Sequence, residues 1–129
     1  MQLFAIIVAG LLYAISIFGE DVTLTDENFS AQVASGTWMI KFFSPYCGYC
    51  KRLAPIWEQF SNEQGLSANN LHIGELDCTQ YGSICDQNKV NGYPTINLFH
   101  NGQYIEEYTG EQNAQAMAEY AKSNAQKYI

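Results

Sequence analysis

Positive charge is scarce in this chain. Six Lys and Arg stand against thirteen Asp and Glu, for a formal net charge of -7 and a pI near 4.5. Phosphate contacts need a basic face, so nucleic acid is not an expected partner. The acidity reads as a soluble, self-repelling surface. Histidine occurs twice, as His72 and His100, in no catalytic pattern. No phosphate loop, nucleotide motif, carboxylate pair at hydrolase spacing, internal repeat or low-complexity tract is present. Cysteine is limited to Cys47, Cys50, Cys78 and Cys85. Structural zinc sites favour two short-spaced pairs, and six residues separate the second pair here, so no metal is expected. No cofactor is expected either.

Long apolar runs are lacking too, except at the start. Leu3 to Phe18 is broken only by Tyr13 and Ser16 and is followed by Glu20-Asp21. The run is shorter than the roughly 20 residues of a membrane helix. It reads as a secretory signal peptide over residues 1–19, although no Lys or Arg precedes it, with cleavage after Ser16 or Gly19. An uncleaved anchor is the alternative, and only then would the membrane be a partner. Residues 20–129 leave room for one domain, expected to be a monomer. In an exported chain an even cysteine count permits disulfides. Asn28-Phe29-Ser30 makes Asn28 a glycosylation candidate.

The pattern of the remaining sequence alternates strands and helices. Val22–Leu24 is a short strand, and Thr25 can cap a helix over 26–33. Thr37–Phe43 is a strand and 51–63 a helix, with Leu53, Ile56, Trp57 and Phe60 at helical spacing. Pro55 should kink that helix. Strands over 71–76, 95–99 and 104–108 and helices over 80–88 and 111–127 follow. Asn101-Gly102 between the last two strands signals a hairpin turn. This order suggests an α/β fold, a central mixed sheet covered by helices on both faces. Trp38 and Trp57 read as core or site-wall residues.

The most informative residues are Ser44-Pro45-Tyr46-Cys47-Gly48-Tyr49-Cys50-Lys51. They place a dithiol at a strand-to-helix junction. A helix N-terminus carries unpaired N–H groups and partial positive charge, which stabilise a thiolate, the reactive form of cysteine. Cys47, at the helix start, is the expected nucleophile. Cys50 lies one turn on, on the same side, and is the expected resolving thiol. A bridge across two intervening residues would constrain little unfolded chain, so a merely structural disulfide is a poor reading.

That dithiol, with Leu53-Ala54-Pro55, Asp77-Cys78-Thr79, Val90-Asn91-Gly92-Tyr93-Pro94-Thr95 and Tyr108-Thr109-Gly110, resembles the catalytic domains of the protein disulfide isomerase family. The resemblance covers about Val22 to Ala125. It implies a thioredoxin fold, with residues 20–129 as one catalytic domain. It also implies thiol–disulfide exchange that forms, reduces or rearranges disulfides in unfolded or misoxidised client proteins. An unidentified partner would restore the redox state. The expected location is the endoplasmic reticulum lumen or outside the cell. The C-terminal Gln126-Lys127-Tyr128-Ile129 is not a retention tetrapeptide. Two other readings stay open: a thioredoxin-like reductase, and a binding module or chaperone whose dithiol is incidental.

The resemblance assigns further roles. Pro94 would follow a cis bond and face the dithiol, leaving the Tyr93 backbone free to pair with an extended client. Cys78 and Cys85 would form a structural disulfide worth roughly 2–3 kcal/mol, with two buried thiols as the alternative. Gly48 and Tyr49 would tune the dithiol. Family members often carry histidine at the place of Tyr49, and tyrosine brings no positive charge. The expected potential is roughly -180 to -270 mV.

Two positions depart from the family pattern. A buried Glu or Asp usually precedes the first active cysteine by six residues, and here that residue is Lys41. Lys41 could serve the inner thiol as a proton acceptor with lowered pKa, favour the Cys50 thiolate by simple attraction if charged, or snorkel outward and relay nothing. Gln112 stands near the place of a usual arginine. Slower resolution by Cys50 is therefore expected, and Lys41→Glu is expected to accelerate turnover.

Overall fold

The computed structural model describes residues 21–63, 65–66 and 70–128. The expected signal peptide over 1–19 lies outside them. Five strands, β1 (Asp21–Leu24), β2 (Thr37–Phe43), β3 (Leu71–Asp77), β4 (Thr95–His100) and β5 (Gln103–Glu107), form one sheet in the order β1-β3-β2-β4-β5. β3 is parallel to both β1 and β2, while β4 is antiparallel to β2 and to β5. The sheet is therefore mixed, as the strand and helix pattern suggests.

Side chains alternate across a strand, so each strand feeds two cores. On one face Met39, Ile73, Ile96 and Leu98 pack against Leu53, Trp57 and Phe60 of α2 (Gly48–Ser61) and Met117 and Ala121 of α4 (Ala114–Gln126). On the other face Leu24, Trp38, Ile40, Phe42, Leu76 and Phe99 pack against Phe29 and Val33 of α1 (Phe29–Val33) and Cys85 of α3 (Gly82–Gln87). β2, central and covered on both sides, is buried from Thr37 to Phe42. That explains its nearly continuous apolar run.

Element ends differ from the sequence reading where side chains intervene. α1 runs from Phe29, three residues later than expected, but Thr25 caps the turn that leads into it, its carbonyl accepting from Phe29 N–H at 3.0 Å and its side chain exchanging bonds with Asn28. Thr25 N–H donates to Asn28 Oδ1 at 2.7 Å and Asn28 N–H to Thr25 Oγ1 at 3.3 Å. α2 starts at Gly48 rather than near Lys51, since Cys47 is its cap. The helix is continuous through Pro55, which lies on its solvent face. α4 begins later than expected because Asn113 caps it, its Oδ1 accepting from Ala116 N–H at 2.8 Å. Asn101 and Gly102 take φ of 49° and 83°, the left-handed pair that a tight hairpin needs.

Cys78 and Cys85 are joined as a disulfide. It ties the end of β3 to α3 in the second core. Replacing both with Ser should lower unfolding free energy by roughly 2–3 kcal/mol. Urea denaturation of the reduced-site protein measures it, and an unchanged midpoint would assign the bridge no stabilising role.

Candidate active site

The turn after β2 delivers the dithiol. Ser44 organises it: its carbonyl accepts from Cys47 N–H at 3.2 Å and its Oγ from Tyr46 N–H at 3.2 Å. Cys47 is extended, with φ -87° and ψ 128°, and its Sγ accepts from Cys50 N–H at 3.1 Å. The sulfur thus occupies the position that a Ser or Asp oxygen takes in an ordinary N-cap. Hydrogen bonding from the Cys50 side chain lowers the Cys47 pKa, assisted by the Cys50 and Tyr49 backbone N–H groups and the Arg52 charge. Cys50, only 4% exposed, has its pKa raised, chiefly by burial. Two thiols three residues apart are thereby driven in opposite directions.

A rim surrounds Cys47. Tyr46, Tyr49 and Tyr93 are exposed aromatics. The Arg52 guanidinium lies 4.3 Å from the Tyr49 ring centroid. Tyr49 carries no charge itself, but it stacks against a residue that does, and α2 brings that charge to Cys47. Arg52 escaped the sequence reading, although its place one turn beyond Tyr49 was visible. A Cβ on Gly48 would meet nothing within 4 Å. The glycine therefore relieves no clash. The Tyr93–Pro94 bond is cis, and the Tyr93 carbonyl lies 3.5 Å from Cys47 Sγ. Thr95 Oγ1 donates to the Gly92 carbonyl at 2.6 Å and braces that turn.

Lys41 does not snorkel. It is 4% exposed, and its Nζ lies 2.9 Å from Glu75 Oε2, near the rings of Phe43 and Trp57. The reason is register: Lys41 on β2 pairs with Glu75 on β3, both pointing to the α2 face. Asp21 of β1 completes the group. Its Oδ1 accepts from Trp57 Nε1–H at 3.2 Å, and its pKa is pushed up to about 6, by burial first and then by Glu75. Two carboxylates, from β3 and β1, therefore gather around Lys41. Lys41→Glu would crowd three carboxylates together, so the expectation that it accelerates turnover is withdrawn. Sequence alone held one signal for Glu75: it shares strand parity with Leu71 and Ile73, both buried.

Other predicted positions have surroundings of their own. Gln112 is exposed. Both ends of the Asn28 amide are engaged, Nδ2 donating to the Thr23 carbonyl at 3.1 Å and Oδ1 accepting from Thr25 N–H. His72 stacks on Trp38 and His100 on Tyr128. Among the described residues no cluster suited to a metal ion occurs, and no helix is long and apolar enough to cross a membrane.

A mixed five-stranded sheet, a helix capped by a cysteine sulfur and a facing cis-proline define a thioredoxin-type redox domain. The thioredoxin family matches residues 20–123, and the chain belongs to it. It is 38% identical over 104 residues to the thioredoxin domain-containing protein 5 homolog of Drosophila melanogaster, covering 81% of this chain and 25% of that protein. It is 30% identical over 110 residues to protein disulfide isomerase-like 5-1 of Oryza sativa subsp. japonica, covering 84% and 74% respectively. The J-Trx1 fragment of ERdj5 superposes with a TM-score of 0.74 at 29% identity, over 81% of this chain and 51% of that one. The chain spans 25%, 17% and 21% of the length of three curated relatives it matches.

Proposed function

We propose that the chain is a thiol–disulfide oxidoreductase of the protein disulfide isomerase type, acting on client proteins in the secretory pathway. One observation carries this reading: Cys47 Sγ caps α2 and is held toward the thiolate, while Cys50 beneath it is held toward the thiol. An asymmetric pair of this kind performs exchange in two steps. Cys47 thiolate attacks a client disulfide, and one client sulfur leaves as a thiolate. Cys50 then loses its proton and attacks Cys47, releasing the second client sulfur. The client is reduced by two electrons and the Cys47–Cys50 pair is oxidised. Run backward, the same steps give a client a disulfide. Isomerisation needs only attack and departure at Cys47.

The client would lie extended beside Tyr93 and pair with its backbone, with Tyr46, Tyr49 and Tyr93 giving apolar contact free of sequence demands. No cofactor enters the proposed exchange. Residues 1–19 serve in this reading as the export signal, and the endoplasmic reticulum lumen or the exterior as the destination. The names of the relatives and the Cys78–Cys85 bridge support it.

Alkylation of Cys47 by iodoacetamide across pH tests the site directly. Its rate should reach half its plateau at a pH below that of an ordinary cysteine. A profile coincident with free cysteine overturns the reading.

A further inference from the structure

Cys50 must lose a proton before it can attack Cys47, and burial opposes that loss. Beneath it lies a cavity of about 220 Å³ lined by Cys50, Lys41, Glu75, Phe43, Pro45 and Ala54 among others. Its size leaves room for several waters at about 30 Å³ each. Three charged groups line it, Lys41 of β2, Glu75 of β3 and Lys51 of α2, and Asp21 of β1 stands behind them, interacting with Glu75 and Lys41 rather than with the cavity itself. The Glu75 side chain is 28% exposed, so the far side of the cluster communicates with solvent.

We propose that Glu75 and Asp21 act together as the proton acceptor for Cys50, reached through water in this cavity, and that Lys41 is the positioning residue that holds them there. The proposal rests on the exchange reading above and deepens it. Two carboxylates and one ammonium carry a net charge of -1. One added proton makes the buried group neutral, so a first proton binds readily and a second does not. The register explains the geometry: Lys41 is opposite Glu75, and Asp21 is one diagonal step away on the next strand. In resolution the Cys50 S–H bond breaks and its proton passes through water to the carboxylate pair. The Cys50 thiolate forms the bond to Cys47 Sγ, and the client sulfur departs with the electrons of the broken S–S bond. In the reverse direction the pair returns the proton. A cluster that is already protonated cannot accept another, so resolution should speed up as pH rises through about 6, where Asp21 titrates.

Reduced protein mixed rapidly with dithiobis(nitrobenzoate) separates the steps, because attack by Cys47 releases one nitrothiobenzoate and resolution by Cys50 releases the second. In Glu75→Gln the first release should be unchanged and the second slowed roughly 10–100-fold, with partial rescue in Glu75→Asp. Asp21→Asn should remove the pH inflection near 6 from the second release while sparing the first. Asp21→Asn carries the test if Glu75→Gln fails to fold. Second releases with the wild-type rate and pH profile in the folded variants overturn the proposal and leave the exchange reading standing. A first release no faster than that of free cysteine overturns both.

Discussion

Cys47→Ser should reduce client disulfide exchange by roughly a thousandfold or more, because no other sulfur in the site can begin the reaction. The fold should survive. Serine is among the best N-cap residues, and its Oγ can take the Cys50 N–H that Sγ now accepts. Melting temperature should therefore move little while activity disappears. Cys50→Ser should behave differently. Attack by Cys47 continues, but release through Cys50 stops, and clients accumulate as covalent adducts visible on non-reducing gels. Refolding of a scrambled client is the assay for both. Help retained when both cysteines are serine would assign the activity to a binding module instead. Adducts formed by Cys47→Ser would move the nucleophile elsewhere.

Lys41→Met should be the most destabilising change in the lower part of the site. It strips the cation from two carboxylates and leaves their charge uncompensated. Breaking a buried pair costs about 3–5 kcal/mol, reduced to about 2–3 kcal/mol here because Glu75 is 28% exposed. The loss should depend on pH, and its sign follows from Asp21. Its pKa in the folded protein, about 6, lies above the 3.8 of an unperturbed aspartate. The native state then binds the proton more tightly than the unfolded chain. That contribution is complete below the unfolded value and is lost as pH rises through the folded one. In wild type this happens between about 4 and about 6. Lys41 lowers the Asp21 pKa, so without it Asp21 holds its proton more tightly and the window extends upward. Urea midpoints should diverge from wild type at pH 8 and converge toward it at pH 5. An equal deficit at both would show that lost packing, rather than charge, sets the cost.

Lys41 also marks how far sequence could be read. The dithiol, its place at a helix start, the Asn101-Gly102 turn and the apolar faces of α2 and α4 are local patterns within one or two turns of chain. The fold follows from them because each local preference agrees with the same sheet. Whether Lys41 was buried and paired was not a local matter. It depended on the register of β2 against β3, and so on a partner 34 residues away. Asp21 was harder still, since its role requires β1 on the far side of β3 and the Trp57 indole above it. Arg52 could have been placed by helical spacing, but its stacking on Tyr49 is a choice of side-chain conformation. Thr25 was legible as a cap because its bonds with Asn28 lie within three residues.

The sulfur that closes the first turn of α2 links electron transfer to conformational stability. When Cys47 joins a disulfide, its negative charge vanishes and the dipole it faced loses a counter-ion. The oxidised chain then forgoes an interaction that the reduced chain keeps. In a closed thermodynamic cycle, that deficit reappears as a greater readiness to hand the disulfide onward. The oxidising strength of this protein is thus partly stored as helix stability, and changes to the first turn of α2 that never touch sulfur will still retune it.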